Sequence, residues 1–154
     1  MKNIWNVCVI FVLAFSALRI SVAAEKDKNS FDVPIKEIVE HFIKLNEIIP
    51  NLSNSERTLY SLAYSETHLA LAGFKHLADL EKLDRIVHEE ASRITLRKML
   101  YHQRFQQKWN CRFSISTLAV AEENNSNPVF RGKIAALKKT LSDACKLVKP
   151  EDSP

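Results

Sequence analysis

The stretch from Asn127 to Val148 limits what this chain can fold into more than any other. Phe130, Ile134, Leu137, Leu141, Cys145 and Val148 recur at steps of four and three, which is one apolar stripe of a helix about five turns long. Asn127 suits a helix cap and Pro128 the first turn. Lys133, Lys138, Lys139, Asp143 and Lys146 fall largely outside the stripe, so the helix buries one side and turns a mostly basic side to water. A stripe of that kind needs other helices to cover it. Cys145 sits on it, and the cysteine placed to pair with it is Cys111, where another long helical pattern is expected to end. The pair is expected to form a disulfide, the alternative being one buried and one surface thiol.

Residues Met1 to Ala24 have the layout of a secretory signal peptide. Lys2 precedes a mostly apolar run from Ile4 to Leu18, followed by Arg19 and the small-residue end Ser21-Val22-Ala23-Ala24. The run is shorter than the roughly 20 apolar residues of a membrane span. Cleavage would remove Cys8 and leave 130 of the 154 residues, enough for one domain with its own core, in an oxidising, extracellular setting. Lys2 and Arg19 leave with the leader, so 20 basic residues face 18 acidic ones. A net charge of +2 is too small to argue for nucleic acid as partner.

Three further helices are expected. The first starts near Asp32 and Pro34, buries Ile35, Ile38, Val39, Phe42, Leu45 and Ile49, and closes at Pro50. The second spans about Ser65 to Leu83, with Leu69, Ala70, Phe74, Leu77 and Leu80 inward. The third spans about His88 to Trp109, with Ala91, Ile94, Tyr101, Phe105 and Trp109 on one side and Leu96, Met99 and Leu100 widening the buried arc. Residues 50 to 64 and 112 to 126 read as long connections, the latter opening with an alternating run, Arg112 to Thr117, that suits a short strand. Asn51-Leu52-Ser53 and Asn124-Asn125-Ser126 are glycosylation acceptors, one in each connection.

A bridge between Cys111 and Cys145 brings their Cα atoms within about 7 Å, so two helices ending at those residues would run parallel. Parallel neighbours need a long crossover, and both long connections can supply one. The fold class expected is therefore all-α, a four-helix bundle over residues 25–154 with up-up-down-down topology.

Several segments resemble the short-chain type I helical cytokines, most of all the interleukin-4 and interleukin-13 family. They are Ile35-Lys36-Glu37-Ile38-Val39 with Leu45-Asn46 after it, Trp109-Asn110-Cys111 before a crossover, and Leu137-Lys138-Lys139 with a cysteine near the end of the last helix. The resemblance implies a secreted, monomeric ligand that bridges cell-surface receptor chains and regulates immune cells, with no catalysis and no cofactor. It implies that Glu37, with Glu40 behind it, and a basic residue of the third helix, Arg97 or Arg104 with Lys98 and Lys108 behind them, meet the high-affinity receptor chain. Lys138 and Lys139 would face the second chain.

Motifs for other chemistry are incomplete. His88-Glu89-Glu90-Ala91-Ser92 starts like a zinc-protease motif but has Ser92 where the second histidine belongs. His68 and His76 lie two turns apart without a third ligand, so no metal site is expected. The competing function is a secreted carrier of small apolar molecules, with Met99, Phe105 and Trp109 lining its cavity.

Overall fold

The computed structural model describes residues 31–149, which hold four α-helices, a short 3-10 turn and no strand. The expected signal peptide and Cys8 lie outside the described residues. The helices are α1 (Asp32–Asn46), α2 (Asn54–Ile86), α3 (Glu90–Glu123) and α4 (Pro128–Lys146), with the 3-10 turn Ile49–Asn51 between α1 and α2.

α4 forms where expected, and α1 starts where expected but ends at Asn46, with Ile49 and Pro50 in the separate 3-10 turn. Ile38, Phe42 and Leu45 are the buried stripe of α1, while Val39 stays exposed. The Asn127 side chain accepts from the Val129 and Phe130 amides at 3.0 and 3.1 Å, satisfying two free donors at the start of α4. Phe130, Ile134, Leu137 and Leu141 are then fully buried.

The two middle helices are much longer than expected. α2 begins at Asn54, eleven residues before Ser65, on a reciprocal cap. The Glu56 amide donates to Ser53 Oγ at 3.3 Å, and the Ser53 amide donates to the Glu56 carboxylate at 2.9 Å. Its early turns face the core with Tyr60, Ala63, Thr67 and Ala70, so small and polar residues blur the apolar period. α3 continues twelve residues past Cys111, and the segment expected as a strand, Arg112 to Thr117, is helical. Its hydroxyls explain part of this: Thr117 Oγ1 donates to the Phe113 carbonyl at 3.1 Å, and the Ser114 proton is shared between the carbonyls of Asn110 and, across the interface, Glu66, both at 2.7 Å. Interhelix packing overrides the weak local preference for strand.

These extensions correct the topology. Residues expected to form two long crossovers are mostly helix, and the remaining connections are Glu47–Ser53, Val87–Glu89 and Asn124–Asn127. All neighbouring helices run antiparallel. Gln107 and Ser114 of α3 meet Ala70 and Glu66 of α2, and Glu122 and Cys111 of α3 meet Lys138 and Cys145 of α4. His41 and Lys44 of α1 meet Thr140 and Lys133 of α4. α1 packs on α4 and α2, and α3 on α2 and α4, so α1 and α3 take diagonal corners. The arrangement is up-down-up-down, the form that short connections permit.

The Cys111–Cys145 disulfide is present, with Cα atoms 6.0 Å apart. The inference from it to parallel helices required α3 to end at Cys111. Since α3 runs on to Glu123, the bridge ties the end of α4 to the middle of an antiparallel neighbour.

Candidate functional site

The outward side of α3 carries the most distinctive chemistry. Leu96, Leu100, Gln107, Cys111, Ser114, Leu118 and Ala121 face the interior. Gln107 and Ser114 can do so because each finds a carbonyl of α2, Gln107 Nε2 reaching Ala70 at 2.8 Å. With that stripe inward, helical geometry turns Phe105, Trp109 and Phe113 outward on successive turns. They are 57, 44 and 54 % exposed and contact one another, with ring centroids 6.4 and 6.1 Å apart. The Arg112 guanidinium lies 5.7 Å above the Trp109 ring. This corrects the expected buried arc: Ile94, Met99, Phe105 and Trp109 are exposed and take no part in the core. Met99 instead joins Leu83, Val87 and Leu96 along a groove of about 350 Å³ at the turn between α2 and α3.

A second surface lies between α1 and α4. Val33, Pro34, Glu37, His41, Lys139, Thr140, Asp143 and Leu147 line a groove of about 470 Å³. Partial burial, helped by the nearby Lys44 charge, holds the His41 imidazole below its ordinary pKa, and the ring meets Thr140 Oγ1 at 3.1 Å. Asp143 is held below the usual carboxylate range by the hydrogen bond and charge of Lys146.

The expected receptor residues divide between these surfaces. Glu37 and Lys139 share the α1–α4 groove. Arg97 is exposed on α3, on the corner diagonal to α1, so it shares no face with Glu37. Arg104 reaches back to Glu81 at 2.9 Å, and Lys138 is paired with Glu122 at 2.5 Å. Glu40 lies 4.0 Å from Lys36 across the α1 surface. Lys98 and Lys108 are exposed.

Both glycosylation acceptors are exposed, at the same end of the bundle. Asn51 ends the 3-10 turn, and Asn124 caps α3 with its amide on the Val120 carbonyl at 2.9 Å. Their connections are clipped together by Glu56, which is 9 % exposed. One carboxylate oxygen accepts from the amide and hydroxyl of Ser126, both at 2.8 Å, and the other from those of Ser53 at 2.9 and 2.7 Å. These donors, led by the Ser126 amide, bring the Glu56 pKa down to about 2. The Ser53-x-x-Glu56 spacing is a cap signal that an expected helix start at Ser65 passes over; the link to Ser126, seventy residues away, leaves no mark in local spacing.

Among the described residues no three His, Cys, Asp or Glu side chains are placed to hold a metal ion, and no helix is long and apolar enough to cross a membrane. His68 lies against the rings of Phe42 and Tyr64. No known protein family, curated protein or solved structure shows a significant match to the chain.

Proposed function

We propose that this chain is a secreted helical ligand of the cytokine type, which brings cell-surface receptor chains together and regulates immune cells. The observation that carries the reading is the row of Phe105, Trp109 and Phe113 on the outside of α3, interleaved with basic side chains. Aromatic and arginine side chains with large exposed area are the residues that dominate binding at protein interfaces. One receptor chain docks on this row, with Arg97 and Lys108 at its margin. The other docks over the α1–α4 groove, where Glu37 and Lys139 offer one charge of each sign. Because α1 and α3 occupy diagonal corners, a monomer can engage two chains without overlap. The carrier reading has less support, since the side chains assigned to its cavity point outward.

The test is binding of the labelled, secreted protein to a panel of leukocyte lines, followed by competition with variants. Trp109→Ala is expected to weaken binding by about 30-fold or more, the loss of about 2 kcal/mol typical of a central aromatic anchor. Glu37→Lys is expected to preserve that first contact and abolish signalling. Absence of saturable binding on every line, or unchanged binding and signalling in both folded variants, would sink the proposal.

A further inference from the structure

The charge of this chain is unevenly placed. α3 and α4 together carry eleven Lys and Arg against four Asp and Glu, whereas α1 and α2 carry six against eight. From Ala91 to Ala121, thirty-one consecutive residues of α3, there is no carboxylate. The three acidic residues of α3, Glu90, Glu122 and Glu123, lie at its two ends.

The tertiary structure concentrates this bias further. The disulfide holds Cys111 and Cys145 with Cα atoms 6.0 Å apart, so their flanking residues share one patch. Lys108 and Arg112 come from α3, Lys146 from the last turn of α4 and Lys149 from just beyond it. Arg97 and Lys98 continue the basic edge along α3, where Arg97 and Arg112 are separated by about 22 Å of helix axis. Arg97, Lys98, Lys108, Arg112, Lys146 and Lys149 are all exposed. Among the described residues the acidic group nearest in sequence to the patch is Asp143, already engaged by Lys146 at 2.6 Å; Glu151 and Asp152 follow Lys149 in the sequence, outside the described residues. Like charges held this close repel one another, and an elongated polyanion relieves that repulsion while releasing its own counterions.

We propose that the outer α3–α4 face around the disulfide binds a linear sulfated polysaccharide of the kind displayed at cell surfaces. A strip of separate exposed cations fits a flexible chain of repeated sulfates. A folded acidic protein would need a shaped seat, and the aromatic row beside the strip is the surface better suited to one. The choice of a sugar over a nucleic acid rests on the extracellular location expected from the leader; the charge pattern itself stands without it.

The experiment is salt elution of the full secreted protein from immobilised heparin, with circular dichroism as the check on folding. The parent is expected to bind, and the triple variant Lys108→Gln, Arg112→Gln, Lys149→Gln to elute at lower salt. The slope of log K against log salt is expected to fall by about one per contact removed. The control triple variant Lys36→Gln, Lys75→Gln, Lys82→Gln loses the same charge from α1 and α2 and is expected to elute with the parent. Equal shifts in both variants would mean that net charge acts without a site. Failure of the parent to bind, or stronger competition by single-stranded RNA or an acidic peptide than by soluble heparan sulfate, would also overturn the proposal.

Discussion

Replacing Gly73 by alanine is the sharpest test of how α2 and α3 pack. The backbone of Gly73 is ordinary helix, with no positive φ, so the glycine is there for space and not for conformation. A Cβ built at that position falls 1.7 Å from Gln107 Oε1 and 2.7 Å from its Cδ. Gln107 would have to move, yet it is fully buried and holds the Ala70 carbonyl at 2.8 Å. Losing that bond in a dry interface costs about 1–3 kcal/mol, and forcing extra volume into the packing a further 1–3 kcal/mol or so. Against this, alanine gains about 1 kcal/mol over glycine in helix propensity. The net expectation is a loss of about 3 kcal/mol, or a melting temperature lower by roughly 10 °C for a domain of this size. Urea unfolding followed by circular dichroism measures it. Gln107→Ala in the Gly73→Ala background should recover about 2 kcal/mol relative to additivity, because the clash has lost one partner. If Gly73→Ala is as stable as the parent or more so, the close approach assigned to these helices is wrong.

Other perturbations test other links. Cys111→Ser with Cys145→Ser should lower stability by about 4 kcal/mol, from the loop entropy released across a sequence separation of 34, and denaturant melts would show it. Glu56 has its pKa lowered from 4.5 to about 2, so its contribution is complete above pH 4.5 and lost as pH falls from there towards 2; Glu56→Gln should flatten that part of the stability-versus-pH curve. His41 also has a lowered pKa, so the unfolded chain takes up its proton first and stability declines as pH drops below 6.5, a slope that His41→Gln should remove. Asn127→Ala should cost about 1 kcal/mol through the lost cap of α4, and an unchanged urea midpoint would count against that assignment.

The absence of a useful signal in the middle of the chain has a specific cause. In α4 the stripe is made of Phe130, Ile134, Leu137 and Leu141, large residues that all point inward, so periodicity and burial agree. In α2 and α3 they part company: Thr67, Gln107 and Ser114 are fully buried while Leu69, Phe105 and Trp109 are exposed. Hydropathy ranks those two sets in the reverse order. Periodicity alone therefore stops at Ser65 and Trp109, whereas the helices run from Asn54 and to Glu123, and that difference turns two apparent crossovers into short connections. The resemblance points to Glu37 and Lys139 separately, on α1 and α4; that they line one groove depends on α1 lying against α4.

What residue type and spacing decide without tertiary contacts is local: a predominantly helical chain, the cap and stripe of α4, the start of α1, and two cysteines placed to bond. Those features depend on residue type and spacing along one helix, which short-range sterics and hydrogen bonding settle. Whether a buried side chain is Leu or Gln, and whether Arg112 to Thr117 is strand or helix, was decided by a partner helix. The Ala70 and Glu66 carbonyls turn Gln107 and Ser114 into core residues, and they come near only once α2 and α3 are packed. The outward aromatic row and the basic face around the disulfide are consequences of that packing, because burying one side of a helix fixes which side remains for a partner.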